Sequence, residues 1–237
     1  MSGSLRRQYL EALGLTPWVL RVPSGVTTSN EAAAPAALPG TPAPAAGALD
    51  ALDWEALRAR VAACRQCGLA ATRTQTVFGV GNPEAEWLIV GEAPGAEEDR
   101  QGEPFVGRAG QLLNAMLRAI GLERSQVYIA NVLKCRPPGN RDPSAFEAGQ
   151  CLPYLERQIA LIRPRIMLAV GRIAAQNLLA TDLPLARLRR QVHAFGHSRV
   201  PLIVTYHPAY LLRTPGEKRK AWEDLKFARE VCARGQR

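Results

Sequence analysis

The chain of 237 residues carries a formal net charge of +9, and 47% of its residues are hydrophobic, which is ample for one folded core. No apolar run approaches the ~20 residues of a membrane-spanning helix, and the N-terminus lacks the apolar segment of a secretory signal. We therefore expect a cytoplasmic protein without structural disulfides. Of the 30 Lys and Arg residues, 21 follow Leu117; this basic half either binds a polyanion such as nucleic acid or only covers the surface with solvated charge.

The N-terminal part of the sequence differs in composition from the rest. Residues 5–15 have the apolar spacing of a short amphipathic helix, and residues 31–49 contain nine alanines and four prolines, the composition of a flexible linker. We therefore divide the chain into an N-terminal tail, residues 1–48, and one domain, residues 49–237. The tail either docks an unknown partner protein or has no separate role, and we expect the protein to be a monomer.

The domain alternates helical patterns with short apolar runs that are typical of buried strands. The predicted strands are residues 87–90, 127–132, 165–170 and 200–205. The first predicted helix is capped by Asp50 or Asp53 and runs towards Cys64. The other predicted helices are a segment around 112–120, residues 144–162 with Phe146 facing inward, a helix that ends near residue 180, and residues 217–233. Strands that alternate with helices favour a doubly wound, parallel α/β sheet.

A long loop joins the first predicted strand to the next helix, from Gly91 to Phe105. It has neither the lysine of a phosphate-binding P-loop nor the Gly-x-Gly-x-x-Gly of a dinucleotide site, and its acidic residues would repel a phosphate. A neutral, flat ligand that stacks on an aromatic ring fits better, and Phe105 supplies that ring. The carboxyl edge of the sheet should bring this loop together with Asn131 and with the segment after Thr205.

The cysteines form two separated pairs. Cys64 and Cys67 are spaced as Cys-x2-Cys, whereas fifteen residues separate Cys135 from Cys151. In a reducing compartment, four such cysteines favour a metal or cluster site over isolated buried thiols. The spacing leaves zinc and an iron–sulfur cluster both open. Cys232 has no mate and is expected to be an ordinary core or surface residue.

Four segments together resemble a known family: residues 91–114, the strand that ends at Asn131, residues 135–143 and residues 207–213. They resemble the iron–sulfur, type-4 uracil-DNA glycosylases, and the resemblance spans about residues 54–230. It implies a three-layer α/β/α sandwich with a four-stranded, mainly parallel sheet, and excision of uracil from DNA that leaves an abasic site. It also implies one [4Fe–4S] cluster, with these ligands: Cys64, Cys67, Cys135 and Cys151. A sister group that becomes trapped on abasic DNA has a glutamine in place of Ala93, so the chain resembles the ordinary glycosylases.

The resemblance implies a pocket for a uracil that has been flipped out of the DNA stack. Phe105 would stack on the flipped base. The amide of Asn131 would donate to uracil O4 and accept from N3–H, a pattern that cytosine reverses. His207 would donate a hydrogen bond from its neutral ring to O2, where negative charge develops as the bond to the sugar breaks.

The remaining roles follow from neighbouring positions. Glu92 would position the attacking water or stabilise the sugar cation, backbone N–H groups near Gly91 and Ala93 would contact the base, and Glu98 would wall the pocket against the thymine methyl group. We expect no Schiff base, because no lysine occupies these motifs, and no need for an added divalent metal. The loop expected to enter the DNA minor groove consists of Tyr210, Leu211, Leu212 and Arg213.

One departure keeps an alternative open. Relatives of the aspartate type carry a carboxylate where this chain has Ala93. Without that general base, the protein could instead be an iron–sulfur module that binds nucleic acid and performs no glycosylase chemistry.

Overall fold

The computed structural model describes residues 49–196 and 199–234, which lie within one structural unit. The predicted N-terminal helix, the linker and His197 are outside these residues. Six strands form one sheet: β1 (Val80–Gly81), β2 (Trp87–Gly91), β3 (Tyr128–Asn131), β4 (Ile166–Val170), β5 (His193–Phe195) and β6 (Val200–Thr205). Eight α-helices occur in the described residues: α1 (Trp54–Ala62), α2 (Ala96–Gln101), α3 (Arg108–Ala119), α4 (Ala145–Ile162), α5 (Arg172–Leu179), α6 (Leu185–Leu188), α7 (Pro208–Arg213) and α8 (Lys218–Arg234).

The sheet has the order β1-β3-β2-β4-β6-β5. Its four inner strands are parallel and are the four that the sequence predicts. The predicted count of four is nevertheless too low, because β1 and β5 pair antiparallel at the two edges. Both edge strands are only two or three residues long, so they carry too few residues for an alternating pattern to be recognised.

The inner strands are buried on both faces, as parallel sheets require. On one face the side chains of Leu88, Ala130 and Met167 pack with α4 and α5 in one core cluster. On the other face Ile89, Ile129 and Leu168 share a second cluster with α3 and α8. The alternation of side chains along each strand therefore supplies two cores, and helices cover both, which gives the expected three layers.

The helix boundaries agree with the sequence to within a few residues. Asp53 caps α1, because its side chain accepts the N–H of Ala56. Ser144 caps α4: its hydroxyl accepts the N–H of Glu147, and the carboxylate of Glu147 accepts the N–H of Ser144. The inward orientation expected for Phe146 is wrong: its side chain is 54% exposed. Phe146 precedes the buried Leu155 by nine residues, about two and a half turns, which places it on the opposite face of α4.

The four parallel strands bring their carboxyl ends to one edge of the sheet. Gly91 ends β2, Asn131 ends β3 in register with Gly91, and Thr205 ends β6 two residues before His207. The segments predicted to form the site are thus adjacent in space. No helix among the described residues has the length and apolar character needed to cross a membrane.

Candidate active site

A cavity of about 420 Å³ opens at this edge of the sheet. Several predicted site residues line it: Glu92, Ala93, Glu98, Phe105, Asn131, His207, Tyr210 and Arg213. Other lining residues come from the same loops and from the proline-rich loop after β3: Pro94, Gly95, Ala109, Pro137, Asn140, Arg141, Asp142 and Ala209. The volume lies in the range of small-molecule sites, so a single nucleobase can enter.

Phe105 occupies a tightly held turn at one wall. Its φ of 55° lies in the left-handed region, which is unfavourable for an aromatic residue and needs support from neighbours. The Oε1 atom of Glu98 accepts the N–H groups of Val106 and Gly107 at 3.0 and 3.3 Å. Arg124 donates to the carbonyl oxygens of Pro104, at 2.6 Å, and Phe105, at 3.4 Å. Glu98 therefore lines the cavity and also fixes the turn that carries the aromatic ring.

Two glycines permit the close approach of this turn. A Cβ on Gly110 would overlap the carbonyl oxygen of Phe105, so helix α3 can pack against the turn only with glycine at that position. A Cβ on Gly91 would overlap Oδ1 of Asn131 and come within 2.7 Å of Phe105 Cζ. Gly91 thus lets the Phe105 ring and the Asn131 amide approach the end of β2 closely, although it is not itself among the residues that line the cavity.

Asn131 is 2% exposed, and its Oδ1 atom has no hydrogen-bond partner among the described residues. A buried acceptor without a donor costs free energy, about 1–3 kcal/mol. Its backbone carbonyl, in contrast, accepts from Nζ of Lys134 at 2.9 Å. Asn131 thus lines the cavity with its backbone anchored, and its Oδ1 atom lies buried beside Gly91 without a donor among the described residues.

His207 caps helix α7, and its ring lies 5.6 Å from that of Phe105 at an angle of 30°. The Nδ1 atom accepts the N–H of Ala209 at 3.1 Å, so the proton of the neutral ring resides on Nε2. Burial lowers the pKa of His207 to about 4, and the nearby charge of Arg213 acts in the same direction. The imidazole is therefore neutral at pH 7 and presents one N–H donor.

Glu92 follows directly after β2 and is partly buried at the cavity. Burial raises the pKa of Glu92 to about 7, and the negative charge of Asp142 adds to this, whereas Arg172 opposes it. A carboxyl group with such a pKa exists in both protonation states near neutral pH. It can accept a proton from water without being too weak a base.

No role was predicted for Asn140, Arg141 and Asp142, although they lie in residues 135–143, one of the segments that carry the family resemblance. Arg141 forms a two-pronged ion pair with Glu147, at 2.6 and 2.8 Å, which anchors the loop to α4. Asp142 pairs with Arg172 at 2.9 Å. The motif could have indicated these positions, whereas nothing in the sequence marks Arg124, which acts on the Phe105 turn through backbone carbonyls.

The loop after β6 divides its side chains between the core and the surface. Leu211 is 1% exposed and packs in the same core cluster as Ile203, so it is not available for contact with DNA. Leu212 is partly exposed and Arg213 is exposed beside the cavity. Tyr210 lines the cavity and stacks on Tyr206 with 5.2 Å between ring centroids. His193 is part of β5, where its Nε2 pairs with the carbonyl of Leu188 at 2.8 Å, and it does not line the cavity.

The four paired cysteines lie close enough to affect one another electrostatically. Burial, with a smaller contribution from negative charge at Cys135 and Cys67, raises the pKa of Cys151 to about 12. Arg73 donates to the sulfur of Cys135 at 3.0 Å, and the backbone N–H of Lys134 donates to that of Cys151 at 3.4 Å. Within the described residues, no group of three or more His, Cys, Asp or Glu side chains has the spacing to hold a single metal ion.

Lys134 lies between Asn131 and Cys135, just outside the segments for which no lysine was noted. Its side chain is 1% exposed and donates to Oε1 of Gln158 at 2.6 Å as well as to the carbonyl of Asn131. It points away from the cavity, and no lysine is among the residues that line it.

The comparisons with known proteins agree with this geometry. Residues 78–226 match the family model described as the uracil DNA glycosylase superfamily. The chain is 46% identical over 183 residues to the type-4 uracil-DNA glycosylase of Archaeoglobus fulgidus, an alignment that covers 74% of this chain and 92% of the archaeal protein. It is 40% identical over 179 residues to the type-4 uracil-DNA glycosylase of Thermotoga maritima, with coverage of 74% and 92%. Identity to the type-5 uracil-DNA glycosylase of Thermus thermophilus is 33% over 178 residues, with coverage of 62% and 79%.

Proposed function

This chain belongs to the uracil DNA glycosylase superfamily and to its type-4 group, and we propose that it is monofunctional: it hydrolyses the bond between uracil and deoxyribose and leaves the DNA strand intact. Its activity is that of a uracil-DNA glycosylase in DNA repair. The single observation that supports the assignment of the site best is Asn131, which lines the cavity and whose buried Oδ1 has no hydrogen-bond partner among the described residues. Uracil offers the N3–H donor that this acceptor lacks, and cytosine has no hydrogen on N3.

Base selection combines three side chains around the flipped nucleotide. Phe105 stacks on the ring and is indifferent to base identity. Asn131 reads the uracil edge, and its rejection of cytosine follows from groups that would stay buried without partners. Glu98, which holds the turn around Phe105, limits the space for a methyl group on C5 and so disfavours thymine. Gly91 and Ala93 leave room for the base and for contacts from the backbone.

Bond cleavage releases uracil as an anion. The electrons of the bond between C1′ and N1 move to the base, and the charge that develops on O2 is stabilised by the Nε2–H of His207. Water then adds to C1′, and its proton passes to the carboxylate of Glu92 or to solvent. Because no lysine lines the cavity, no amine is available there to form a Schiff base with the sugar, which supports simple hydrolysis. None of these steps uses an added divalent metal.

Contact with DNA is assigned to the loop after β6 and to the basic surface. Tyr210 borders the cavity, Leu212 is the apolar side chain placed to enter the groove, and Arg213 can meet a phosphate. Leu211 supports them from the core. The net charge of +9 makes binding to the phosphate backbone favourable and dependent on salt.

We assign a [4Fe–4S] cluster to Cys64, Cys67, Cys135 and Cys151. Two of these sulfurs accept N–H donors: that of Cys135 from Arg73, and that of Cys151 from the Lys134 backbone. Such hydrogen bonds stabilise thiolates that bind a cluster. Zinc and a cluster can both bind four cysteines, and the cluster is chosen because the chain resembles the iron–sulfur, type-4 glycosylases. When bound, the cluster would brace the loops beside the pocket and take no part in hydrolysis.

The test of the catalytic assignment is single-turnover excision from an oligonucleotide with one uracil, in EDTA. His207→Ala should lower the rate about 10²- to 10³-fold, because one donor to the developing oxyanion is lost. His193→Ala, outside the cavity, is the matched control and should retain the wild-type rate. Equal rates for the wild type and His207→Ala would remove His207 from the mechanism.

A further inference from the structure

Lys134 is a buried basic residue whose position the hydrolysis mechanism does not explain. Its ammonium group has three acceptors: Oε1 of Gln158 at 2.6 Å, the carbonyl of Asn131 at 2.9 Å and the carbonyl of Phe78 at 3.4 Å. An ammonium group has three N–H donors, so its hydrogen-bonding capacity is fully used. Among the described residues it forms no ion pair with a carboxylate.

The same residue is also fixed at its backbone. Its N–H donates to the sulfur of Cys151, and its carbonyl accepts the N–H of Val77 at 2.8 Å. Gln158 donates in turn to the carbonyl of Phe78 at 3.0 Å. Lys134 thus joins three segments that are distant in the sequence: the end of β3, the loop before β1, and helix α4, which contains both Gln158 and Cys151.

A buried charge is retained only where its surroundings compensate it, because removal from water is costly. Here the compensation comes from carbonyl dipoles and from sulfur atoms that become thiolates when they bind a cluster. One of those carbonyls belongs to Asn131, which lines the cavity and whose Oδ1 has no partner among the described residues. The orientation of that amide depends on where its backbone is held, and Lys134 holds it.

We propose that Lys134 is a positioning residue that fixes Asn131 for uracil recognition and links the base pocket to the four-cysteine site. The proposal rests on the uracil-DNA glycosylase function given above. It assigns to Lys134 no contact with the substrate and no proton transfer. It predicts that loss of the ammonium impairs recognition of the base while general contact with the DNA backbone persists.

The test compares Lys134→Met, which keeps an apolar stem of similar length but has no donor, with Gln158→Leu. The second variant disturbs the same buried network and leaves the bond from Nζ to Asn131 in place, so it is the matched control. Two quantities are measured with the full chain: single-turnover excision, and the Kd for free uracil by calorimetry. For Lys134→Met, kcat/KM should fall about 10- to 100-fold and the uracil Kd should rise by a similar factor, as expected for a lost bond to a charged group.

Gln158→Leu should stay within about threefold of the wild type in both quantities, and both variants should bind uracil-free duplex as the wild type does. In an Asn131→Ala background, Lys134→Met should cause no further loss, because its effect passes through Asn131. Unchanged uracil binding in Lys134→Met, or an equal loss in Gln158→Leu, would overturn the proposal. If the methionine variant does not fold, Lys134→Gln, with a shorter donor, is judged by the same two quantities. A wild-type protein that releases no uracil would contradict the proposed function instead.

Discussion

At the scale of single residues, we propose that Glu92 gives the reaction its pH dependence. Its pKa is raised to about 7, so the carboxylate is lost as the pH falls through 7, whereas His207, with a pKa of about 4, stays neutral down to about pH 5. The rate of excision should therefore fall about tenfold for each pH unit below 7. Glu92→Gln should be slower by about 10²-fold or more at pH 8 and should lose this pH dependence.

The measurement is the single-turnover rate between pH 5 and 8 for the wild type and Glu92→Gln. Glu97→Gln is the matched control, since Glu97 is exposed on α2 and pairs with Arg100 outside the cavity. A wild-type rate that stays flat between pH 5 and 8 would show that the Glu92 carboxylate is not required.

Membership of the candidate site was predictable where a side chain lies inside a recognisable segment and is expected to act through its own functional group. Phe105, Asn131 and His207 are of this kind, and the structure gathers them in one cavity. Arg124 and Lys134 were not predictable, because both act by donating to backbone carbonyls that are distant in sequence. Such bonds depend on the tertiary fold and leave no local pattern. The burial of Leu211 was also not predictable. Leu211 and Leu212 are neighbouring leucines, and the sequence does not indicate that only Leu211 packs in the core.

At the scale of elements, the packing of α3 against the Phe105 turn should be sensitive to one methyl group. Gly110→Ala places a Cβ on the carbonyl oxygen of Phe105, which has to move and take the stacking ring with it. We expect excision to fall about 100-fold or more and stability to decrease by about 1–3 kcal/mol. Gly149→Ala in α4, where the added Cβ meets nothing within 4 Å, is the control. It should retain activity and gain about 0.5–1 kcal/mol.

Excision rates and urea unfolding of both variants check this prediction. Wild-type activity in Gly110→Ala would mean that the turn tolerates displacement and that the position of the ring is not critical. A loss in Gly149→Ala of the same size would point to a general sensitivity of the fold rather than to the Phe105 turn.

The elements themselves divide into those that the sequence defines and those that it does not. The four inner strands are apolar runs buried on both faces, a signal that is strong even in short segments. The edge strands β1 and β5 form only because a neighbouring strand offers hydrogen bonds, so their short, mixed sequences do not predict them. The inward orientation predicted for Phe146 is wrong because an aromatic side chain need not be buried. Its position along the helix places it opposite the buried Leu155.

At the scale of the whole molecule, the proposed four-cysteine site would join parts of the chain that are far apart in sequence. Cys64 and Cys67 follow α1, Cys135 follows β3, and Cys151 lies in α4. We expect the purified protein to contain about four irons per chain, with visible absorption. Cys151→Ala should lose the iron and unfold at a lower temperature, because a ligand that closes long loops stabilises the folded state.

The matched control for the cluster is Cys232→Ala, since Cys232 is buried in α8 within the other core cluster. Iron and zinc analysis with a thermal unfolding curve for each protein provides the measurement. This control should keep its iron. A colourless wild-type protein with one zinc per chain would contradict the assignment of the cluster, though not that of the base pocket.

The most direct measurement of the central claim is the identity of the products formed from a duplex with one uracil, in EDTA. We predict that one free uracil is released for each site, and that the strand stays intact until alkali cleaves it at the abasic position. Duplexes with cytosine or thymine at the same place should release no base. Tight, salt-sensitive binding of the uracil duplex without release of uracil would contradict this account and identify a nucleic-acid-binding protein instead.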